Sequence, residues 1–88
     1  MVGDGDCVAV FHSIHRVMKA ETVLKQQDAP MLLIPIPRQL TSDCGLAIRY
    51  SEQDRSCVEG ILADAGIAPS EVFVKRDDEY VLLLAQQS

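Results

Sequence analysis

Residues 7–27 read Cys-Val-Ala-Val-Phe-His-Ser-Ile-His-Arg-Val-Met-Lys-Ala-Glu-Thr-Val-Leu-Lys-Gln-Gln. The first five, Cys7 to Phe11, are a short apolar, β-branched run of the kind that becomes a buried strand. Ser13 then stands where a helix N-cap would. Ile14, Val17, Met18 and Leu24 recur at helical spacing to about Gln27, and Asp28-Ala29-Pro30 stops the helix. A strand that feeds straight into a helix opens a β-α-β unit, and the rest of the chain is read from there.

Met31 to Ile36 is the second strand, closed by Pro35 and Pro37. Residues 37–45 form a polar loop that Gly45 terminates, and Leu46 to Tyr50 is the third strand. Ser51 caps a second helix, with Asp54 in the position of a capping-box acid. Cys57, Val58, Ile61, Leu62 and Ala65 mark its apolar face, and Gly66 is its expected stop. Val72 to Val74 is a fourth strand, Asp77-Asp78 a turn, and Tyr80 to Ala85 a fifth strand at an edge. That last strand is apolar on both faces, so something must cover it, and a partner subunit would do so. Residues 1–6 are expected as a flexible tail and 7–88 as one domain.

The order is β-α-β-β-α-β plus one strand, so the expected class is α+β, a ferredoxin-like sandwich with the sheet on one side and two helices on the other. Right-handed crossovers and the central hairpin place the third strand between the first and second. His12, Ser13 and His15 should then face the loop that carries Arg38 and Cys44.

Composition narrows the function classes. In 88 residues, 48% are apolar, only 5% aromatic, and there is no Trp, so the core is aliphatic and small. The net charge is −5, without the basic face of a nucleic-acid binder. No apolar run approaches the ~18–20 residues of a membrane helix, and the acidic start lacks the basic region of a secretory signal. A cytoplasmic protein is expected. Cys7, Cys44 and Cys57 contain no Cys-x-x-Cys pair, which argues against a disulfide framework or a closed zinc site. No dinucleotide loop, P-loop, paired catalytic carboxylates or Ser-His-Asp set is present, and no cofactor is implied.

The residues that could carry chemistry cluster around the loop. Cys44 sits in a polar, glycine-ended stretch, where a nearby helix N-terminus, Arg or His would favour its thiolate. Equally, it could be a small apolar residue tucked under the hairpin. His12 and His15 could cap or pack. They could also tune or shuttle a proton for Cys44, or ligate a metal with it. Arg38 could pin an anion or pair with Asp43. Ser13 is the cap, and Gly45 permits a positive φ or a close backbone approach. Cys7 and Cys57 read as core residues.

Three stretches resemble the selenium/sulfur carrier protein-like family, a bacterial family of small domains. They are Phe11-His12-Ser13-x-His15 with Ala20-Glu21 and Leu24-Lys25; Leu33-Ile34-Pro35-x-Pro37-Arg38 leading to Ser42-x-Cys44-Gly45; and Leu46 to Tyr50 followed by the acidic-start helix to Ala65-Gly66-Ile67. The likeness spans roughly residues 7–74, and the loop is its most specific part. It implies that Cys44 is the motif cysteine and moves sulfur or selenium as a persulfide or selenopersulfide. It further implies a protein donor such as a cysteine desulfurase, and an acceptor the sequence does not name. The chain would be a carrier or accessory protein rather than a turnover enzyme. His12, His15 and Arg38 would support the thiolate and its anionic cargo. The other reading is a non-catalytic interaction or regulatory module, which dimerises through the C-terminal strand or docks to an enzyme.

Overall fold

A computed structural model of the chain describes residues 2–40 and 45–85. The elements are β1 (Asp6–Val10), α1 (Ile14–Gln26), β2 (Leu32–Pro35), β3 (Leu46–Ser51), α2 (Arg55–Asp64), β4 (Glu71–Arg76) and β5 (Glu79–Ala85). The architecture is α+β, with a five-stranded antiparallel sheet in the order β2-β3-β1-β4-β5 and two helices. β3 lies between β1 and β2, as the short β2–β3 connection requires.

Alternation along the strands divides the apolar residues between two layers. Cys7, Ala9, Phe11, Ile48, Tyr50, Val72 and Val74 meet Val17, Ala20 and Leu24 of α1 and Val58 and Leu62 of α2. On the helix-free face, Val8, Val10, Ile34 and Ala47 are also buried. Their cover is not a helix but side chains from Val2, Ile36, Leu40, Phe73 and Tyr80. Val2, and Ile36 and Leu40 from the start of the β2–β3 loop, thus lie over that face. Of residues 1–6, expected as a flexible tail, Asp6 opens β1 and residues 2–5 are laid against the sheet. Gly5 N–H donates to Lys75 O (2.9 Å), Lys75 Nζ donates to Val2 O (2.9 Å), and Glu52 N–H donates to Gly5 O (2.9 Å).

Both helices end in the same way. At α2, Ile67 N–H reaches Leu62 O (2.9 Å) and Gly66 N–H reaches Ala63 O (3.0 Å), with Gly66 at φ 71. At α1, Ala29 N–H reaches Leu24 O (2.9 Å) and Asp28 N–H reaches Lys25 O (3.1 Å), with Asp28 at φ 54. This paired closure needs one left-handed residue. Glycine supplies it in α2 and aspartate, at some strain, in α1. The Asp77-Asp78 turn, with φ 52 and 64, joins Arg76 to Glu79 as a two-residue hairpin loop.

Several local expectations are corrected. The Ser51–Asp54 capping box does not form. Ser51 Oγ accepts from Gln53 N–H (3.3 Å) in a 3-10 turn over Glu52–Asp54, and Asp54 makes no side-chain cap. The turn delays α2 to Arg55, so Val58 and Leu62 point inward while Cys57 and Ala65 are exposed. In α1 the inward stripe is Val17, Ala20 and Leu24, and Ile14 and Met18 face outward. In β5, Val72 opposes Leu84 and Phe73 opposes Leu82, which leaves Leu83 as an extra residue. This bulge lets Leu83 and Leu84 both pack on the helix-side core.

Candidate functional site

The register fixes which connections share an end of the sheet. Val10 opposes Ala47 of β3 and Glu71 of β4, and Pro35 opposes Leu46. The β1–α1 junction, the β2–β3 loop and the start of β4 therefore emerge together. This much follows the expectation from sequence.

At the junction the chain turns sharply. His12 holds φ 56, a conformation uncommon for a residue with a side chain. Its imidazole is half-exposed, with Nε2 hydrogen-bonded to Glu71 Oε1 at 2.9 Å. Ser13 is the N-cap of α1, in extended backbone, and its Oγ accepts from Arg16 N–H at 3.3 Å. His15 is exposed on the first turn of α1. The segment before β4 laces this corner together. Ser70 N–H donates to Val10 O (2.8 Å), Ser70 Oγ donates to Phe11 O (3.3 Å), and Arg16 Nη2 donates to Ala68 O (3.0 Å). Ser70 and Glu71 are partners that spacing along the chain could not reveal, because they lie far from residue 12 in sequence.

The loop is anchored at both of its described ends. Ile36 N–H donates to Gly45 O at 3.0 Å, which extends the β2–β3 pairing past Pro35, and Leu40 N–H donates to Pro37 O at 3.0 Å in a tight turn. Gly45 has no positive φ, and the tight contact at its position is with a side chain rather than with backbone. A Cβ there would stand 3.1 Å from Ile36 Cδ1. Leu40 packs on the helix-free face. With Gln39, Phe73, Asp78, Glu79 and Tyr80, it lines an open cavity of about 410 Å³. Asp78 and Glu79 belong to the β4–β5 turn, at the far end of the sheet from Val10. The first half of the loop therefore leans back across the helix-free face.

The residues singled out from sequence are thus only partly assembled. His12 turns to β4, Ser13 is spent on the helix, and His15 and Arg38 are exposed. Among the described residues, no hydrogen bond or ion pair joins His12, Ser13 or His15 to Arg38 or Gly45, and Arg38 has no polar partner. Cys44, with Thr41, Ser42 and Asp43, lies outside the described residues. No cluster of three His, Cys, Asp or Glu side chains among the described residues is arranged to hold a metal ion.

The other two thiols differ sharply. Cys7 is fully buried in the central strand. Burial pushes its thiol up to about 11, with Arg55 acting the other way and Glu52, Glu59 and Asp6 adding to the rise. Such a thiol is inert near neutral pH. Beside it, the buried Tyr50 hydroxyl donates to Glu59 Oε2 (2.9 Å), and Arg55 clamps the same carboxylate at 2.7 and 3.2 Å. Cys57 is exposed on α2.

The family model described as "Putative Se/S carrier protein-like" matches residues 6–74, and the chain belongs to that family. The match runs from β1 into β4 and leaves β5 outside it. No curated protein and no solved structure matches the chain.

Proposed function

From that family membership, we propose that the chain carries sulfur or selenium, with Cys44 as the thiol that is loaded and unloaded. The observation that carries the proposal is the span of the family match, which includes the whole β2–β3 loop. The Cys44 thiolate attacks the outer sulfur of a donor persulfide. A new S–S bond forms at Cys44, the donor's S–S bond breaks, and the donor leaves as a thiolate. A selenopersulfide donor delivers selenium by the same displacement. The donor is a protein such as a cysteine desulfurase, and a second thiolate on an acceptor later takes the cargo. No net oxidant is needed.

The flanks of the loop support this reading. Arg38 is exposed and free of partners among the described residues, so its guanidinium is available to an anionic cargo. His15 stands exposed at the N-terminal turn of α1. His12 contributes through Glu71, to which it is hydrogen-bonded at the corner of the sheet. We read the β-α-β-β-α-β portion as a ferredoxin-like arrangement extended by β5, and place the protein in the cytoplasm, where its thiols stay reduced. Among the described residues, no helix is long and apolar enough to cross a membrane.

The test is intact-mass measurement after incubation with a cysteine desulfurase and cysteine, using a Cys57→Ser background. Cys7 can remain, because it is buried. A gain of one sulfur atom that vanishes with Cys44→Ser supports the proposal. Loading that survives Cys44→Ser, or no loading at all, overturns it. The interaction-module reading draws on the exposed apolar residues of β5. It is favoured if Cys44→Ser leaves every partner contact intact and no loading occurs.

A further inference from the structure

The two edges of the sheet are built differently. β2 has four residues, contains Pro35, and lies between Pro30 and Pro37. Proline withholds the donor that an added strand would need. β5 has seven residues and carries no charge and no proline from Tyr80 to Ala85. Edge strands of monomers are normally guarded by charge, proline or brevity. From Tyr80 to Leu82 β5 has none of these guards; its bulge, which also blunts an edge, comes only at Leu83.

Its exposed apolar side chains lie on both faces. Val81 opposes Val74 on the helix side, and Leu82 opposes Phe73 on the helix-free side. They remain 43% and 51% exposed. A helix or loop laid on one face would cover one of them and leave the other in water. A strand added alongside covers both at once.

We infer that β5 pairs antiparallel with β5 of a second copy of this chain, forming a twofold dimer with one continuous sheet. Charge favours a second copy. Glu79 is the one charged residue of β5, and a twofold antiparallel pair sends the two Glu79 side chains to opposite ends. The apolar residues between them then meet their equals. Assembly stops at two, because the proline-guarded β2 edge offers no site for a third copy. The Ala85 end of β5 lies beside Glu71, at the end where the β2–β3 loop emerges. The dimer therefore places its two β2–β3 loops at opposite ends of the joined sheet. This inference concerns β5 alone and stands whether or not Cys44 is a carrier.

Analytical ultracentrifugation of the full chain under reducing conditions, over a wide concentration series, tests it. A reversible monomer–dimer equilibrium is expected. Leu82→Lys and Val81→Lys should each weaken it by about tenfold or more, while Met18→Lys, on the exposed face of α1, leaves it unchanged. Hydrogen exchange on the unaltered chain provides a readout independent of any variant's folding. The β5 amides should gain protection as concentration rises. A monomer at every concentration, oligomers beyond the dimer, disruption by Met18→Lys instead of the β5 variants, or exchange in β5 that ignores concentration would each overturn the inference.

Discussion

Raising the pH should weaken this fold through one buried thiol, by an amount the structure sets. Cys7 is fully enclosed in β1, and burial lifts its thiol from an ordinary 9.0 to about 11. Below pH 9 the folded and unfolded chains both keep the proton. Between 9 and 11 the unfolded chain sheds it and the folded chain does not, so stability falls as pH rises. Above 11 both states are ionised and the loss levels off. The whole span is worth roughly 2.7 kcal/mol, and at about pH 10 half of it, roughly 1.4 kcal/mol, has gone. Tyr50, whose phenol is also raised by burial and by Glu59, adds its own alkaline loss. Comparison with Cys7→Ala removes the part of that contribution that burial and Glu59 cause, which both proteins share, while the part that a Cys7 thiolate adds to Tyr50 is counted with Cys7. Urea unfolding with a reductant, at about pH 7 and about pH 10, measures the difference. The advantage of the unaltered chain over Cys7→Ala should shrink by about 1.4 kcal/mol between the two. If the two proteins lose stability in parallel, Cys7 does not sit in the environment described.

Other expected outcomes follow from the same contacts. Gly66→Ala places a Cβ at φ 71 and should cost about 1 kcal/mol in thermal unfolding, while Asp28→Gly relieves the matching strain at α1 and should raise stability by up to about 1 kcal/mol. Tyr50→Phe removes the 2.9 Å bond to Glu59 and should cost about 1.5 kcal/mol by denaturant titration, since the acceptor is charged. Disrupting the half-exposed His12–Glu71 pair with Glu71→Gln should cost under about 1 kcal/mol, and added salt should erase the difference. In native chains, a maleimide should label Cys57 quickly and leave Cys7 untouched, as read by peptide mass mapping.

Most of the fold was legible because short-range patterns decided it. Short apolar runs bounded by breakers marked the strands, Ser13 the start of α1, and Gly66 the end of α2. The misses arose where tertiary context chose between equal local options. Ser51 and Asp54 fit a capping box, yet Ser51 bonds Gln53 instead and a 3-10 turn rotates Cys57 outward. Ile14, Val17, Met18 and Leu24 fit one helical stripe, but only Val17 and Leu24 enter the core, joined there by Ala20. The cover of the helix-free face by Val2, Ile36, Leu40, Phe73 and Tyr80 was not readable, because it joins residues scattered along the chain. At the candidate site, the shared end of the sheet followed from topology. The direction of each side chain did not, since His12 answers to Glu71 and Leu40 to the far side of the sheet.

The place of β1 in the sheet has a consequence for synthesis. It leaves the ribosome first, yet it sits in the middle, with Ala9 beside Ile48 on one side and Val72 on the other. The hairpins β2–β3 and β4–β5 can zip locally as they emerge, whereas β1 must wait for β4 to be made. At ~5–20 residues per second that wait lasts several seconds. During it, four apolar residues that end fully enclosed, Cys7 to Val10, have no complete berth. A nascent chain halted before β4 is finished keeps one flank of its central strand bare, so the sheet is completed only after β4 is made.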